Sequence, residues 1–561
     1  MSLLIDALLN FLRFLRNVRR ALRRSPDFVW IRVSGVLPEL EPSRRGLLRR
    51  RLDPRTLAPS LEDIRARLDR VLADGRVRGV ILHIENLDAG WAALEELRTE
   101  IGRFREQGKG VVAYLADGGD TRSYYLASAA SEIFASPLST LNIVGLRVRV
   151  NFLKDALGRL GLETEVVAVS PYKSAADPIY RTDFSKESRE QVERLLDRRF
   201  DALVTAISTG RGISAEQVRS LIDNAPYSAA QAVDKKLIDG ALYEDELVCR
   251  LSNGDKPAKL AEWGVASKAL RVPYRRRTRK VVGLVGVEGT VVRGSSRKLP
   301  VPLPLLGREQ AGSASVVAAL RVAEKNRRVA AVLLYVNSPG GDALASDLIW
   351  REVERIRAKK PVVVLMGNYA ASGGYYVSAP ASRIVARQNT ITGSIGVILT
   401  RPVASNLFGK LKVNAAAVGR GARSNLLDPR YQPTPDELTV LNNQLHVFYD
   451  GFKDRVASGR ELHPEALEAL AGGRVWTGAE ALERGLVDEN GGYRTALARA
   501  RELAGITEDG PGVLMKISPP RGARPAPGEP VREAVDAVSG AVSGLLVVRV
   551  WASVPYEISD D

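Results

Sequence analysis

"KGVVAYLADGGDTRSYYLASAASEIFASP" (109–137) and "KPVVVLMGNYAASGGYYVSAPASRIVARQ" (360–388) are one segment written twice, at a constant offset of 251 residues. The correspondence extends in both directions. "GVILHIENLDAG" (79–90) matches "AVLLYVNSPGGD" (331–342), and "YSAAQAVDKKLIDG" (227–240) matches "WTGAEALERGLVDE" (476–489). The opening strands also correspond, "FVWIRVSGVL" (28–37) with "VVGLVGVEGTVV" (281–292). Self-similarity on this scale means two copies of one domain. The division it predicts is a basic N-terminal helix at 1–25, a first repeat at 26–255, a basic linker at 256–280, a second repeat at 281–503 and a Pro-rich tail at 504–561.

Each copy has the same rhythm. β-branched runs such as Val332–Val336 and Val362–Leu365 read as buried strands. They alternate with helical stretches such as Ala343–Lys359, where Leu344, Leu348, Val353 and Ile356 recur at helical spacing. Strand, glycine turn, helix, strand predicts an α/β fold, a mostly parallel sheet covered by helices in each copy. The junctions at 337–342 and 367–374 should then lie at the carboxyl ends of neighbouring strands, where such folds place their sites.

Two junctions carry chemistry in the second copy. "NSPGG" (337–341) exposes backbone amides at a helix start, suited to a phosphate or an oxyanion. Its spacing is neither a Walker A loop nor G-x-G-x-x-G. The other junction carries Ser372, which reads locally either as a helix N-cap or as a nucleophile. In the first copy position 372 becomes Thr121, and the SPGG turn becomes Leu87-Asp88-Ala89. That copy instead carries "AVSPYKSAADPIYRTDFSKESREQ" (168–191), whose Lys173 follows Thr121 by 52 positions. The counterpart in the second copy is "AVGRGARSNLLDP" (417–429), with Arg423 at 51 positions after Ser372. Arginine keeps its charge and cannot act as a base. The second copy thus has a serine without a usable lysine and the first a lysine without a serine; if both came from an ancestor with a complete pair, each has kept one member.

Such a pair is chemically sensible. A serine hydroxyl needs a neighbouring base. An exposed lysine, of pKa ~10.4, is neutral in only about one molecule in ~2,500 at pH 7, and burial among apolar groups lowers that pKa by several units. A lone lysine is ordinarily a solvated surface residue; only its place in the repeat singles out Lys173.

Composition bounds the remaining readings. The chain has 561 residues, 82 basic and 65 acidic, for a net charge of +17. Residues 1–60 hold thirteen Arg, no Lys and five acids, a net +8, and a second basic cluster spans Arg275 to Lys280. An excess of this kind points to nucleic acid or to an anionic lipid surface. No aromatic-interleaved basic stripe or helix-turn-helix pattern accompanies it, so no nucleic-acid partner is expected. The opening "MSLLIDALLNFLRFLRNVRRALRR" puts Leu4, Leu8, Phe11, Leu12, Leu15, Val18 and Leu22 at helical spacing with arginines between them. It lacks about 18 uncharged apolar residues in a row and reverses the order of a signal peptide, so a spanning helix is not expected. The reading is an amphipathic helix lying in a lipid interface, with docking on the protein's own body as the alternative. "VSGLLVVRVWASV" (542–554) is too short to span and contains Arg549. The single cysteine, Cys249, excludes an internal disulfide framework. The three histidines are His83, His446 and His463; His83 lies in a strand-like run and reads as a core residue. No His/Cys/Asp cluster has metal-ligand spacing, and neither a metal nor a cofactor is expected.

"VNSPGG" (336–341), "NYAASGGYY" (368–376), "TGSIGV" (392–397), "YKSAADP" (172–178) and "VWTGAEALERGLVDENGG" (475–492) together resemble the signal peptide peptidase A family, in its long tandem-repeat form. The resemblance covers roughly residues 28 to 503. It implies a fold similar to Clp protease and crotonase in each copy, with Ser372 as nucleophile and Lys173 as general base. It further implies that the amides of Gly341 and Gly373 form the oxyanion hole and that Ser394 hydrogen-bonds the lysine. A homo-oligomer, a tetramer, is implied as well. The expected activity is that of a membrane-associated serine endopeptidase, peripheral to a bacterial-type inner membrane, cutting short hydrophobic peptides such as cleaved signal peptides. The alternatives are a crotonase-like acyl-CoA enzyme, for which Asn368 and Ala370–Ala371 supply no acid, and a non-catalytic membrane-bound scaffold.

Overall fold

Runs such as Val80–Leu82 and Val362–Leu365 carry no polar residue on either face, so both faces must be covered. In the computed structural model all seven of these residues are buried. The structure describes residues 2–41, 59–274, 278–303, 307–507, 513–520 and 549–552. The chain forms two units. One takes in Met1–Arg147 and Leu196–Arg277, the other Val148–Leu195 and Thr278–Glu557.

The first unit is built on a six-stranded sheet ordered Leu260–Glu262, Phe28–Gly35, Gly79–Leu87, Gly110–Leu115, Glu132–Ala135 and Gly240–Ala241, with every neighbouring pair parallel. Helices Leu61–Leu72 and Trp91–Glu106 bury Ile64, Leu68, Leu97, Ile101 and Phe104 in the same core as Val29, Val80 and Val111. His83 is half-buried on this sheet, with its ring 5.7 Å from Trp30 and 5.8 Å from Tyr114.

The second unit repeats the plan. Its main sheet runs Leu514–Lys516, Val281–Glu288, Val329–Ser338, Val362–Ala371 and Ile391–Gly393 in parallel, and then Val475–Thr477 antiparallel. A second, seven-stranded sheet is ordered Arg297–Leu303, Gly307–Gly312, Thr290–Val292, Gly341–Asp342, Arg549–Ala552, Ile398–Val403 and Glu163–Ala168. Helix Ala343–Arg357 begins at Asp342, whose carboxylate accepts from the amide of Ala345 at 2.8 Å.

Several sequence expectations need adjustment. Leu344 and Leu348 are 42% and 49% exposed, and the buried stripe of that helix runs through Ala345, Ile349, Val353 and Ile356. A spacing of four fits either phase of a helix, and the sheet beneath selects the one that buries Ile349. The stretch read as a basic linker contains the Leu260–Glu262 strand and the Trp263–Ala269 helix, both integral to the first unit. The Leu514–Lys516 strand lies in the stretch read as tail and adds to Val281–Glu288. Three-residue strands carry too little periodicity to be read locally; their partners lie more than 200 residues away. Arg275, Arg276 and Arg277 of the basic cluster lie outside the described residues, as does most of the tail.

The phase of the Ala343–Arg357 helix is testable. Ile349→Ala should cost about 2–5 kcal/mol in urea unfolding, whereas Leu348→Ala should stay within about 0.5 kcal/mol.

Candidate active site

Ser372 ends the Val362–Ala371 strand and precedes the Gly373–Ser378 helix. Its backbone takes φ 54° and ψ −113°, and its side chain makes no capping hydrogen bond to the helix. The helix-cap reading therefore fails. A positive φ at a residue with a side chain costs energy and persists only where the surroundings enforce it. Here the amide of Ser372 donates to Gly393 O at 2.7 Å, and Tyr376 N donates to Ser372 O at 2.7 Å. The hydroxyl is left facing inward, wholly buried. The first unit solves the same junction differently. Asp120 caps helix Thr121–Ala127 by accepting from Ser123 N at 2.7 Å, and the Thr121 hydroxyl donates to Gly145 O at 3.1 Å.

Lys173 reaches Ser372 although 199 residues separate them, because its segment belongs to the second unit. The Glu163–Ala168 strand pairs antiparallel with Ile398–Val403, Ala168 opposite Ile398. The chain then turns at Ser170, whose carbonyl accepts from Lys173 N at 3.1 Å. Gln191 ties this turn down, donating to Tyr172 O at 3.0 Å and accepting from Val475 N at 2.9 Å. The result puts Lys173 Nζ 2.6 Å from Ser372 Oγ, 2.9 Å from Ser394 Oγ and 3.1 Å from Ser394 O.

The electrostatics of the lysine follow from its burial. It is 3% exposed, and desolvation pushes its pKa well below the usual lysine value. A neutral amine has two N–H donors and one lone pair. The two Ser394 oxygens suit the donors, which leaves the lone pair for the Ser372 hydroxyl. Arg423, the counterpart in the second copy, is exposed and bridges to Asp436 at 3.0 Å.

The expected amide donors adjoin this pair. A Cβ at Gly373 would stand 3.1 Å from Gly341 N, so the two backbones approach as only glycine permits. Ser338 shapes the turn, its Oγ accepting from Gly340 N at 3.2 Å. One participant escaped the sequence reading. Gly473, at φ +87°, packs on the lysine so closely that a Cβ there would lie 2.7 Å from both Lys173 Cα and Cβ. Its only signal is the glycine pair of "AGGRVW" (471–476), which carries no reactive side chain.

The comparisons with known proteins agree with this architecture. The profile described as "Peptidase family S49" matches residues 103–257 and 354–507. The chain belongs to peptidase family S49. It is a serine protease with two tandem domains of that family, and the profile for Clp protease matches residues 307–392. The chain is 32% identical to "Serine protease SPPA, chloroplastic" of Arabidopsis thaliana over 498 residues, 87% of this chain and 72% of that protein. It is 28% identical to "Protease 4" of Salmonella typhi over 551 residues, covering 93% of this chain and 84% of the other. A "Putative signal peptide peptidase SppA" of Enterococcus faecium is 35% identical over 234 residues, 39% of this chain and 68% of that one.

Gly473→Ala should displace the lysine while the protein stays folded. A displacement approaching 1 Å predicts a loss of roughly 10²-fold in kcat, measured on a soluble peptide with thermal unfolding as the control.

Proposed function

We propose that this S49 protease is a membrane-associated endopeptidase that cuts short apolar peptides with a Ser372–Lys173 dyad. The observation that carries the reading is the 2.6 Å approach of a buried, desolvated lysine to a serine held at positive φ. In this mechanism Lys173 Nζ takes the proton of Ser372 Oγ as the oxygen attacks the scissile carbonyl. The amides of Gly341 and Gly373 receive the oxyanion, each worth about 3–4 kcal/mol in the transition state. The lysine proton then goes to the leaving amine, and a water molecule repeats the sequence on the acyl-enzyme. Ser394 holds Nζ in line by occupying its remaining hydrogen-bonding directions. Apolar peptides such as spent signal peptides are the substrate class, in keeping with the name of the Enterococcus faecium relative. A homo-oligomer, taken as a tetramer, belongs to the same reading, and the exposed Leu344 and Leu348 offer apolar surface for contact between copies.

The membrane part rests on the Ser2–Ala21 helix. It is docked on the first unit through polar groups: Arg13 donates to Pro273 O at 2.8 Å, Asn17 to Val272 O at 3.0 Å and Arg20 to Leu270 O at 2.5 Å. Its apolar side faces outward, with Leu8, Phe11, Leu12, Leu15, Val18 and Leu22 all exposed. Docking and lipid contact are therefore compatible, since they use opposite faces. Among the described residues no helix is long and apolar enough to cross a membrane, and we assign a peripheral position on a bacterial-type inner membrane.

The dyad predicts that Ser372→Ala and Lys173→Ala each lower kcat by about 10⁴-fold or more with unfolding unchanged. Lys173→Arg should be equally inactive. Because burial lowers the lysine pKa, kcat/KM should rise with pH as Lys173 loses its proton and level off below the ordinary lysine range. Near-normal turnover by Lys173→Arg would end the dyad assignment.

For the helix, Phe11→Ser combined with Leu15→Ser keeps Arg13, Asn17 and Arg20. This variant should bind phosphatidylglycerol vesicles at least about tenfold more weakly while cleaving a soluble peptide normally. Unchanged vesicle binding would leave the helix a docking element alone.

A further inference from the structure

Three consecutive residues of the second unit, Gly472, Gly473 and Arg474, meet the turn that carries Lys173, each at a different point. A Cβ on Gly472 would lie 3.2 Å from Ser170 Oγ, and one on Gly473 would lie 2.7 Å from Lys173 Cα. The Arg474 guanidinium stands over the Tyr172 ring, 4.1 Å from its centroid. The first two contacts are backbone packing, and the third is a side-chain stack that closes the row. Arg474 Nη1 donates to Ala469 O at 3.1 Å, and Arg474 O accepts from Ser394 N at 2.6 Å. One residue therefore holds Ser394 by its backbone and the lysine turn by its side chain. Tyr172 is fixed from its own side: its carbonyl accepts from Gln191 at 3.0 Å, and its hydroxyl donates to Glu190 Oε2 at 3.3 Å. A planar guanidinium suits an aromatic face as a lysine ammonium does not.

The stack matters because solvent is near. Pro171 is exposed and Tyr172 half-buried, yet Lys173 is 3% exposed. The lysine is thus dry only two residues from water. The repeat points to the same pair of side chains. Aligned through "AVSPYK" and "AVGRGAR", Tyr172 corresponds to Ala422; aligned through "YSAAQAVDKKLIDG" and "WTGAEALERGLVDE", Gly473 and Arg474 correspond to Asn224 and Ala225. Each partner of the stack is an alanine in the other copy, where no buried lysine has to be enclosed.

We propose that Arg474 is a positioning residue: stacked on Tyr172, it holds the Lys173 turn against the Gly472–Gly473 backbone and keeps water from Nζ. The effect on turnover rests on the dyad reading, whereas the closure of the turn does not. Without the stack the turn loosens, Nζ regains water, and the amine holds its proton more tightly. The other charged groups on the surrounding elements are Glu165 and Asp177 on the lysine's own segment, Glu190 and Arg194 on the Lys186–Arg211 helix, Arg401 on the paired strand and Glu480 on the Gly478–Glu483 helix. Among the described residues none of these bonds to Nζ, whose partners are Ser372 and Ser394. Access of water is therefore what the stack controls.

The test compares the full chain with its Arg474→Ala, Tyr172→Ala and Tyr172→Phe variants, each checked by thermal unfolding. The first measurement is kcat/KM against pH on a soluble peptide. Both alanine variants should move the rising limb up by about one pH unit, which lowers kcat/KM roughly tenfold on its acid side. At high pH they should return to the parent's plateau. Tyr172→Phe keeps the ring and should keep the parent's midpoint. Since Tyr172→Ala retains the Arg474 charge, equal shifts in the two alanine variants assign the effect to the stack. A loss of the same size at every pH, or a shift with Arg474→Ala alone, overturns the proposal. If neither alanine variant folds, Arg474→Lys keeps the charge without the planar stack; a smaller shift in the same direction is then expected, and an unchanged midpoint overturns it. The second measurement stands apart from turnover. Amide hydrogen exchange over residues 169–176, read by mass spectrometry, should be at least about tenfold faster in the alanine variants than in the parent and in Tyr172→Phe. Unchanged exchange overturns the closure. Faster exchange, combined with a parent enzyme inactive on every peptide, would keep the closure and reject the dyad reading.

Discussion

A lysine removed from water, with no carboxylate among the described residues to balance it, is the constraint around which the second unit is arranged. Lys173 is lowered in pKa by desolvation, and among the described residues no ion pair offsets it. Burial favours the neutral amine, and the protein must satisfy that amine's hydrogen bonds. Ser394 takes up two of its contacts and Ser372 the third. Ser394 is itself held at φ 52°, with its amide donating to Arg474 O at 2.6 Å. Two serines with side chains at positive φ, Ser372 and Ser394, thus face one amine. The strain at both is sustained by hydrogen bonds from neighbouring backbone rather than by their own local preference.

Bringing the lysine there is a problem of topology. Six register pairs between Glu163–Ala168 and Ile398–Val403 fix the segment that carries it, and Gln191 clamps the following turn to Val475. Antiparallel pairing sets side-chain direction as well as distance, since a slip of one residue would invert every side chain. The 199-residue separation in sequence is thereby reduced to a local contact. Ile398–Val403 pairs with Glu163–Ala168 on one side and with Arg549–Ala552 on the other.

The fold was legible because the repeat displays the same βαβ rhythm twice, and continuous apolar runs left Val329–Ser338 and Val362–Ala371 no other reading. Ser372 and Lys173 were legible for a subtler reason. Neither is distinctive alone, but the other copy has Thr121 in place of the serine and, in place of the lysine, Arg423, which cannot act as a base. Elements decided by packing were not legible. The phase that turns Leu344 and Leu348 outward depends on the sheet beneath their helix. The strands Leu260–Glu262, Leu514–Lys516 and Arg549–Ala552 exist through partners distant in sequence. Gly473 contributes an absence of side chain, which no pattern of reactive residues reveals.

The two copies also show how little must change to silence such a site. In the first unit Asp120 provides an ordinary N-cap, and the buried Thr121 hydroxyl is spent on Gly145 O. No strained turn is needed, and none is kept. In the second unit the lysine counterpart has become an exposed arginine paired with Asp436. The surviving arrangement makes the site a late product of the chain. Its lysine lies at 173, its serine at 372 and the glycine that packs against the lysine at 473. A chain ending before 473 lacks the backbone that encloses Lys173 and leaves that lysine closer to solvent. Lysine in solvent keeps its proton, so the burial that lowers the pKa of Lys173 is itself a product of the completed fold.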